Sequence, residues 1–172
     1  MFYTGRIWYT RHATSFAAAC VNTNGKLPLI PMTGFFSLKQ LLVDVPPLVY
    51  DHPELTNVFL LKLQSHGNFE LVLVVDKESF EAQPPHAPQQ KTRLRALQRA
   101  GANVVLCSGT GRHGRMHGKA LVCDRRVAYC GSANFTSKSV ANEELCFRLA
   151  GPSVADVLAF TNRARQKGKL WQ

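Results

Sequence analysis

The pattern of apolar positions divides most of the chain into strand-like and helix-like segments. Apolar residues rich in valine and leucine run almost without interruption through 70–75 and 103–107. Such runs predict strands covered on both faces, because a strand open to water on one side alternates polar with apolar positions. Three segments repeat apolar residues at helical spacing instead and predict helices over 53–67, 89–100 and 153–167. Strands and helices that alternate in this way predict an α/β domain.

Weaker patterns complete the prediction. Leucines at helical spacing predict a short helix over 37–43, and brief apolar runs predict strands over 27–31 and 145–149. The segment 77–88 is rich in proline and predicts a loop. We therefore expect the folded domain to span residues 26–172.

Residues 1–25 are predicted to be an extension ahead of this domain. The first 43 residues contain no Asp or Glu, and several Ser and Thr residues accompany the basic side chains near the start. This composition is typical of a mitochondrial targeting segment. An alternative interpretation is that residues 5–10 form an edge strand.

The positive charge is large and unevenly distributed. The formal net charge is +10 over 172 residues, and the stretch 91–126 holds nine Lys or Arg residues with Asp124 as its one acid. This balance predicts a polyanionic partner, either nucleic acid or the anionic phospholipid surface of a membrane.

The cysteines and the hydropathy restrict the class of protein further. Five cysteines stand without a recognisable framework, mostly in apolar runs, which is typical of reduced, buried thiols. No apolar run approaches the 18 residues that a membrane-spanning helix requires. We expect an intracellular protein, cytoplasmic unless the N-terminal extension directs it to mitochondria.

The candidate chemistry lies in the stretch 117–134. Two strand-like runs, 120–123 and 127–130, flank a charged turn. His117 and Lys119 are two residues apart and so project from the same side of an extended chain, which places an imidazole beside an ammonium. A hydroxyl and an amide follow at Ser132 and Asn134. These groups together predict a cradle for one phosphate.

This stretch resembles the HxKx4Dx6GSxN signature of the phospholipase D superfamily, and every fixed position is filled. It is most similar to the branch with one signature per chain, which includes nucleases and mitochondrial cardiolipin hydrolases. The resemblance implies an α/β, phospholipase D-like fold, with a mixed, mostly parallel sheet flanked by helices. It also implies a metal-independent phosphodiesterase that needs no cofactor and pairs two signatures in a homodimer.

The resemblance also implies a role for each matching residue. His117 attacks phosphorus and becomes a phosphohistidine, while Lys119 and Asn134 hold the non-bridging oxygens with Ser132 beside them. Glu144, or its neighbour Glu143, orients the His117 ring. Asp124 is the remaining signature residue, either part of the catalytic set or a brace for the turn. The signature glycine, Gly131, is expected to border the substrate. The positive charge of the loop before the signature adds Arg112 and Arg115 as expected substrate-binding residues.

The substrate and two alternative classes stay open. Distributed positive charge favours nucleic acid, single-stranded in particular, over a lipid substrate. Cys107, His113, His117 and Cys123 allow a zinc-site interpretation, although their spacing matches no common structural site. The third interpretation is a nucleic-acid-binding module without catalytic activity. Aromatic residues near the signature, Tyr129 and Phe135, are expected in the core rather than stacked on bases.

Overall fold

The computed structural model of the protein describes residues 6–10, 40–45, 50–82, 89–109, 115–132, 134–136 and 144–172. The strands are β1 Arg6–Thr10, β2 Gln40–Val45, β3 Glu70–Asp76, β4 Asn103–Cys107, β5 Ala120–Cys123, β6 Val127–Gly131, β7 Glu144–Ala150 and β8 Lys169–Leu170. The helices are α1 Pro53–Ser65, α2 Lys77–Ala82, α3 Gln90–Arg99 and α4 Val154–Lys167, the last preceded by a 3₁₀ turn over Gly151–Ser153.

All of these strands belong to one sheet, in the order β1-β7-β6-β5-β2-β3-β4-β8. Among the strand pairs of the described residues, β2–β3 and β3–β4 are parallel and the other five are antiparallel. The expected mixed sheet with flanking helices is therefore confirmed, but the expectation that it is mostly parallel is wrong. The long apolar runs indicate strands that are buried on both faces, and the parallel strands β3 and β4 at the centre of the sheet are buried in this way. The short connections from β5 through β6 force antiparallel neighbours.

Each face of the sheet has its own core. One core lies under α1, α2 and α3 and includes Leu71, Leu73 and Leu121 from the strands. The other lies under α4 and includes the alternate strand residues Val72 and Val122. Neighbouring residues along β3 and β5 thus enter opposite cores, as the period-two geometry of a strand requires. Both faces are covered, which explains why these strands carry few polar residues.

Two segments differ from the sequence-based expectations. Residues 37–43 were expected to be helical, but Gln40–Val45 form β2, which pairs with β3 on one side and β5 on the other. The expected loop 77–88 begins instead with α2, whose first turn is held by the Asp76 carboxylate. The predicted strand 27–31 lies outside the described residues.

The end of α4 meets the sheet closely at Gly168. Its N–H donates to the Ala164 carbonyl oxygen at 3.1 Å, and a Cβ at this position would lie 2.3 Å from Val105 Cγ1. The chain then forms β8 against β4, and the Trp171 N–H donates to the Val104 carbonyl oxygen. Within the described residues, no helix combines the length and apolar character needed to cross a membrane.

The strand directions bring several chain segments to one edge of the sheet. Asp44 lies beside Ala120, and Asp76 lies beside Cys107. The parallel strands therefore end at the edge where β5 begins. Because β6 and β7 are each antiparallel to the strand before, β6 ends and β7 begins at this same edge. We call this the site edge.

Candidate active site

A buried carboxylate fixes the backbone directly before His117. Asp76 ends β3 with no exposed surface, and its Oδ1 accepts a hydrogen bond from the Met116 N–H at 3.0 Å. Its Oδ2 accepts from the Ser79 N–H at 2.9 Å in α2. One side chain thus joins the end of β3, the start of α2 and the segment that carries His117. The sequence analysis missed this residue, and the available signal was an acid that ends an apolar strand.

His117 and Lys119 lie in contact at the site edge. The Lys119 Nζ is 3.0 Å from His117 Nδ1, 3.1 Å from Nε2 and 3.3 Å from the His117 carbonyl oxygen. If Lys119 Nζ lay in the plane of the ring at these nearly equal distances from both nitrogens, it would overlap with a ring carbon atom. The ammonium therefore lies over the ring, and the lone pair of an unprotonated ring nitrogen points away from it.

The surroundings of His117 favour the neutral imidazole. Partial burial lowers the pKa of His117 most, the Lys119 ammonium lowers it further, and the Asp76 carboxylate opposes both. The net pKa lies below the ordinary value of 6.5. A ring that is neutral near pH 7 has a nitrogen lone pair available for nucleophilic attack.

The end of β6 holds the other signature residues beside this pair. The Gly131 N–H donates to the Lys119 carbonyl oxygen at 3.2 Å. The Ser132 N–H donates to the Leu145 carbonyl oxygen, and Ser132 Oγ accepts from the Leu145 N–H at 3.0 Å. Ser132 therefore fastens the end of β6 to β7, one residue after Glu144. The pairing brings the backbone of Glu144 to the site edge, whereas Glu143 lies outside the described residues.

Asn134 follows on a short segment that is anchored in the core. Its side chain is half-buried, and the next residue, Phe135, has only 1 % of its surface exposed. The Phe135 carbonyl oxygen accepts from the Asp51 N–H at 3.0 Å. Tyr129 is also buried. The expectation that both aromatic residues pack in the core is confirmed, and the anchor keeps Asn134 near the end of β6.

Asp124 lies at the opposite end of the β5–β6 hairpin from His117. The turn between β5 and β6 spans residues 124–126, and its first two residues, Asp124 and Arg125, have φ of 47° and 57°, in the left-handed region. The Asp124 carboxylate interacts electrostatically with Lys62. Burial lowers the pKa of Lys62, and the negative charge of Asp124 partly offsets this effect. This placement favours the bracing role for Asp124. It also separates Cys123 from His117, which contradicts the zinc-site interpretation.

The residues predicted from charge to border the substrate have different outcomes. Arg112 lies outside the described residues, as does His113. Arg115 is exposed, and its Nε lies 3.3 Å from Glu78 Oε2 in α2. In the described part of the chain, no group of three or more His, Cys, Asp or Glu residues could hold a metal ion.

Two cavities meet at His117. The first, about 430 Å³, extends toward the end of β4 and is lined by Arg115, Arg163 and Lys167 among others. The second, about 400 Å³, extends toward β6 and is lined by Lys119 and Asp156 among others. His117, Gly118 and Phe160 line both cavities. Helix α4 thus forms one wall of the candidate site, which the sequence analysis did not foresee.

The arrangement fits attack on a phosphate. A neutral imidazole faces open space, an ammonium lies beside it, and the segment that follows β6 supplies the hydroxyl of Ser132 and the amide of Asn134. The cation can offset the negative charge that builds up on the phosphate oxygens during attack.

Comparison with known families and structures gives two results. The sequence model of the family described as "Cardiolipin synthase, PLD-like domain" matches residues 46–161, a stretch that contains the whole signature. The comparison with curated proteins returned no match.

The fold is similar to several solved structures. Nuc from Salmonella typhimurium, described as a phospholipase D family member, is 12% identical with a TM-score of 0.71, covering 99% of each chain. NucT from Helicobacter pylori is 14% identical with a TM-score of 0.70, covering 99% of this chain and 100% of the other. The phosphatidylserine synthase of Haemophilus influenzae Rd KW20 is 15% identical with a TM-score of 0.59, covering 81% of this chain and 36% of the other.

Proposed function

Because the chain belongs to the phospholipase D superfamily, whose chemistry is directed at phosphodiesters, we propose that it is a metal-independent phosphodiesterase that cleaves the backbone of nucleic acids. The reaction proceeds through a covalent intermediate on His117. The observation that carries this proposal is the contact between Lys119 and the face of a His117 ring whose low pKa keeps it neutral.

The first step forms a bond between a ring nitrogen of His117 and phosphorus and breaks the bond to the leaving oxygen. Lys119 and Asn134 bind the non-bridging oxygens. A second imidazole, which must be protonated, gives its proton to the leaving oxygen. Since the chain has one signature, we assign this role to His117 of the partner subunit in a homodimer, so that the two copies together hold one proton.

The second step restores the enzyme. Water attacks phosphorus and displaces the His117 nitrogen, and the second imidazole takes the proton that water releases. The products are a phosphate monoester and an alcohol, and the protons balance over the two steps. Each imidazole thus returns to its starting state.

Nucleic acid is favoured because the first cavity carries several cations. Arg115, Arg163 and Lys167 line it on one side of His117, and the chain as a whole has a net charge of +10. A polynucleotide presents one phosphate per nucleotide, so distributed positive charge strengthens its binding, whereas a single lipid headgroup needs fewer contacts.

Hydrolysis of an anionic phospholipid is the second candidate. It is supported by the description of the matching family, which names cardiolipin synthase. It requires activity that depends on a vesicle surface.

The test compares both substrate classes in one assay. Purified protein with EDTA receives a labelled single-stranded oligonucleotide, duplex DNA, RNA or cardiolipin vesicles. We expect cleavage of the oligonucleotide, at least 1,000-fold less cleavage by His117→Ala, and normal cleavage by His66→Ala. His66 is a matched control because it lies between α1 and β3, at the sheet edge opposite the site.

Competition decides between the candidates. Oligonucleotide should inhibit vesicle hydrolysis more strongly than vesicles inhibit oligonucleotide cleavage at equal phosphate. The reverse order supports the lipid candidate instead. Activity that EDTA abolishes and zinc restores contradicts the mechanism, and oligonucleotide binding without any cleavage identifies an inactive binding module.

A further inference from the structure

We propose that the cleft-facing side of α4 is a one-sided subsite for a second phosphate of the substrate, and that it decides on which side of the scissile bond a polynucleotide extends. Arg163 and Lys167 bind the neighbouring phosphate, and Asp156 keeps a phosphate out of the opposite half of the cleft. This inference rests on the proposed function and adds substrate polarity to it.

The geometry of α4 carries the argument. Asp156, Phe160, Arg163 and Lys167 are spaced by three or four residues, so they share one side of the helix. Each lines a cavity that His117 also lines. The helix crosses the sheet from β6 toward β4, because its first residues border Gly131 and its last residues border Cys107. The shared side therefore runs past His117.

The two halves of the cleft differ in charge. In the half toward β4, the charged residues that line the cavity within the described chain are the cations Arg115, Arg163 and Lys167. In the half toward β6, Lys119 belongs to the reacting phosphate and Asp156 adds a negative charge. A second phosphate is therefore attracted in the first half and repelled in the other.

The chemistry of displacement connects these halves to the two parts of the substrate. Attack on phosphorus places the nucleophile and the leaving oxygen roughly opposite each other. The leaving and retained parts of the substrate thus point in different directions from His117. Phe160, which is 37% exposed and lines both cavities, stands between them. The leaving part points toward the second imidazole, and the retained part extends along this chain's own cleft, where the charges of α4 act on its phosphate.

The test varies the position of one extra phosphate. A dinucleotide with a single diester is compared with the same dinucleotide carrying a terminal phosphate at its 5′ end or at its 3′ end. We expect kcat/KM to rise about tenfold for one of the two additions and not for the other. In Arg163→Gln/Lys167→Gln the rise should disappear, so that the ratio of kcat/KM between the phosphorylated and the plain dinucleotide, measured with the same variant, falls to about one.

The control removes the same charge from the same end of the chain. Arg165→Gln/Lys169→Gln also loses two cations, but neither residue lines the cavities, and Arg165 Nη2 lies 3.8 Å from Glu70 Oε1 on the other side of α4. This variant should keep the full preference for one addition. Equal losses in both double variants, or equal rises for both additions, would overturn the inference.

Binding keeps the inference testable apart from catalysis. In the His117→Ala background, Arg163→Gln/Lys167→Gln should weaken binding of a labelled single-stranded oligonucleotide about tenfold, and the control pair should not. If the plain dinucleotide and longer oligonucleotides are not cleaved, the proposed function fails. If they are cleaved but the two double variants bind and cleave alike, the inference alone fails.

Discussion

At the scale of single residues, burial and two neighbouring charges determine the protonation state of the His117 ring. Lys119 lies 3.0 Å from Nδ1 and lowers the pKa, as partial burial does, while the carboxylate of Asp76 opposes them. The reaction needs one neutral and one protonated copy of His117, so activity should fall on both sides of the lowered pKa. We therefore expect a bell-shaped dependence of kcat/KM on pH, with its maximum at more acidic pH than an ordinary pair of histidines would give.

Lys119→Met should raise the pKa of His117 toward its ordinary value, because the variant removes a neighbouring positive charge and keeps an unbranched side chain. The same variant should lower kcat/KM by roughly 100-fold or more, since it loses the cation at the phosphate. The pKa is measured by NMR titration of the His117 ring in wild type and in the variant. An unchanged or lower pKa of His117 would contradict the assignment.

The signature residues could be predicted from sequence because their spacing is local. His117 and Lys119 are neighbours on an extended chain, and Ser132 follows the next strand of the same hairpin. Asp76 could not be found in this way, because it is 40 residues away from Met116, to which it bonds. That contact exists only through the pairing of strands distant in sequence.

At the scale of elements, the β5–β6 hairpin separates chemistry from support. His117 and Lys119 lie before β5 at one end, while Asp124 and Arg125 form the turn at the other with positive φ. At that end, the negative charge of Asp124 attracts the positive charge of the buried Lys62. The turn therefore positions the strands, and the phosphate is bound at the far end.

Asp124→Asn tests this division, because Asn also tolerates the left-handed conformation but carries no charge. We expect the free energy of unfolding to fall by about 1 kcal/mol through the lost attraction to Lys62. The kcat/KM of the folded protein should stay within about threefold of wild type. Denaturant unfolding and oligonucleotide cleavage measure the two quantities. A loss above 100-fold at unchanged stability would place Asp124 in the catalytic set instead.

Elements with strong periodicity could be predicted, and ambiguous ones could not. The strand Asn103–Cys107 and helix α3 agree with expectation to within a residue. The prediction of a helix over residues 37–43 was wrong because Leu38, Leu41 and Leu42 fit a helix as well as a strand. Pairing with β3 and β5 decides the outcome there, and that pairing joins distant parts of the chain. Tertiary contacts overrode a weak local preference.

At the scale of the whole molecule, the sheet gathers its chemistry at one edge. The ends of β3 and β6 and the starts of β5 and β7 meet there, although they are separated by long stretches of sequence. The class of fold followed from the order of strands and helices. The position of α4 as a wall of the site could not be predicted from the sequence. The apolar pattern of a helix identifies its buried side, but it does not show what the polar side faces.

Mixing wild type with His117→Ala should reveal whether two chains share one reaction. If each reaction needs both copies of His117, random pairing of equal amounts leaves about a quarter of the dimers active. Cleavage should then fall to about a quarter of that of wild type at the same total concentration, after the chains have exchanged. Chains that work independently would retain about half, and a fully active monomer in sedimentation and activity assays would contradict the homodimer.

Gly168 gives α4 an alignment that depends on the absence of a side chain. A methyl group there would come within 2.3 Å of Val105 Cγ1 and 2.9 Å of the Leu106 carbonyl oxygen, so the end of the helix would have to lift from β4. A helix moves as a stiff rod, and Phe160, Arg163 and Lys167 would shift together relative to His117. The distance from the scissile bond to the subsite for the next phosphate thus depends on how closely Gly168 approaches β4, although Gly168 does not line either cavity.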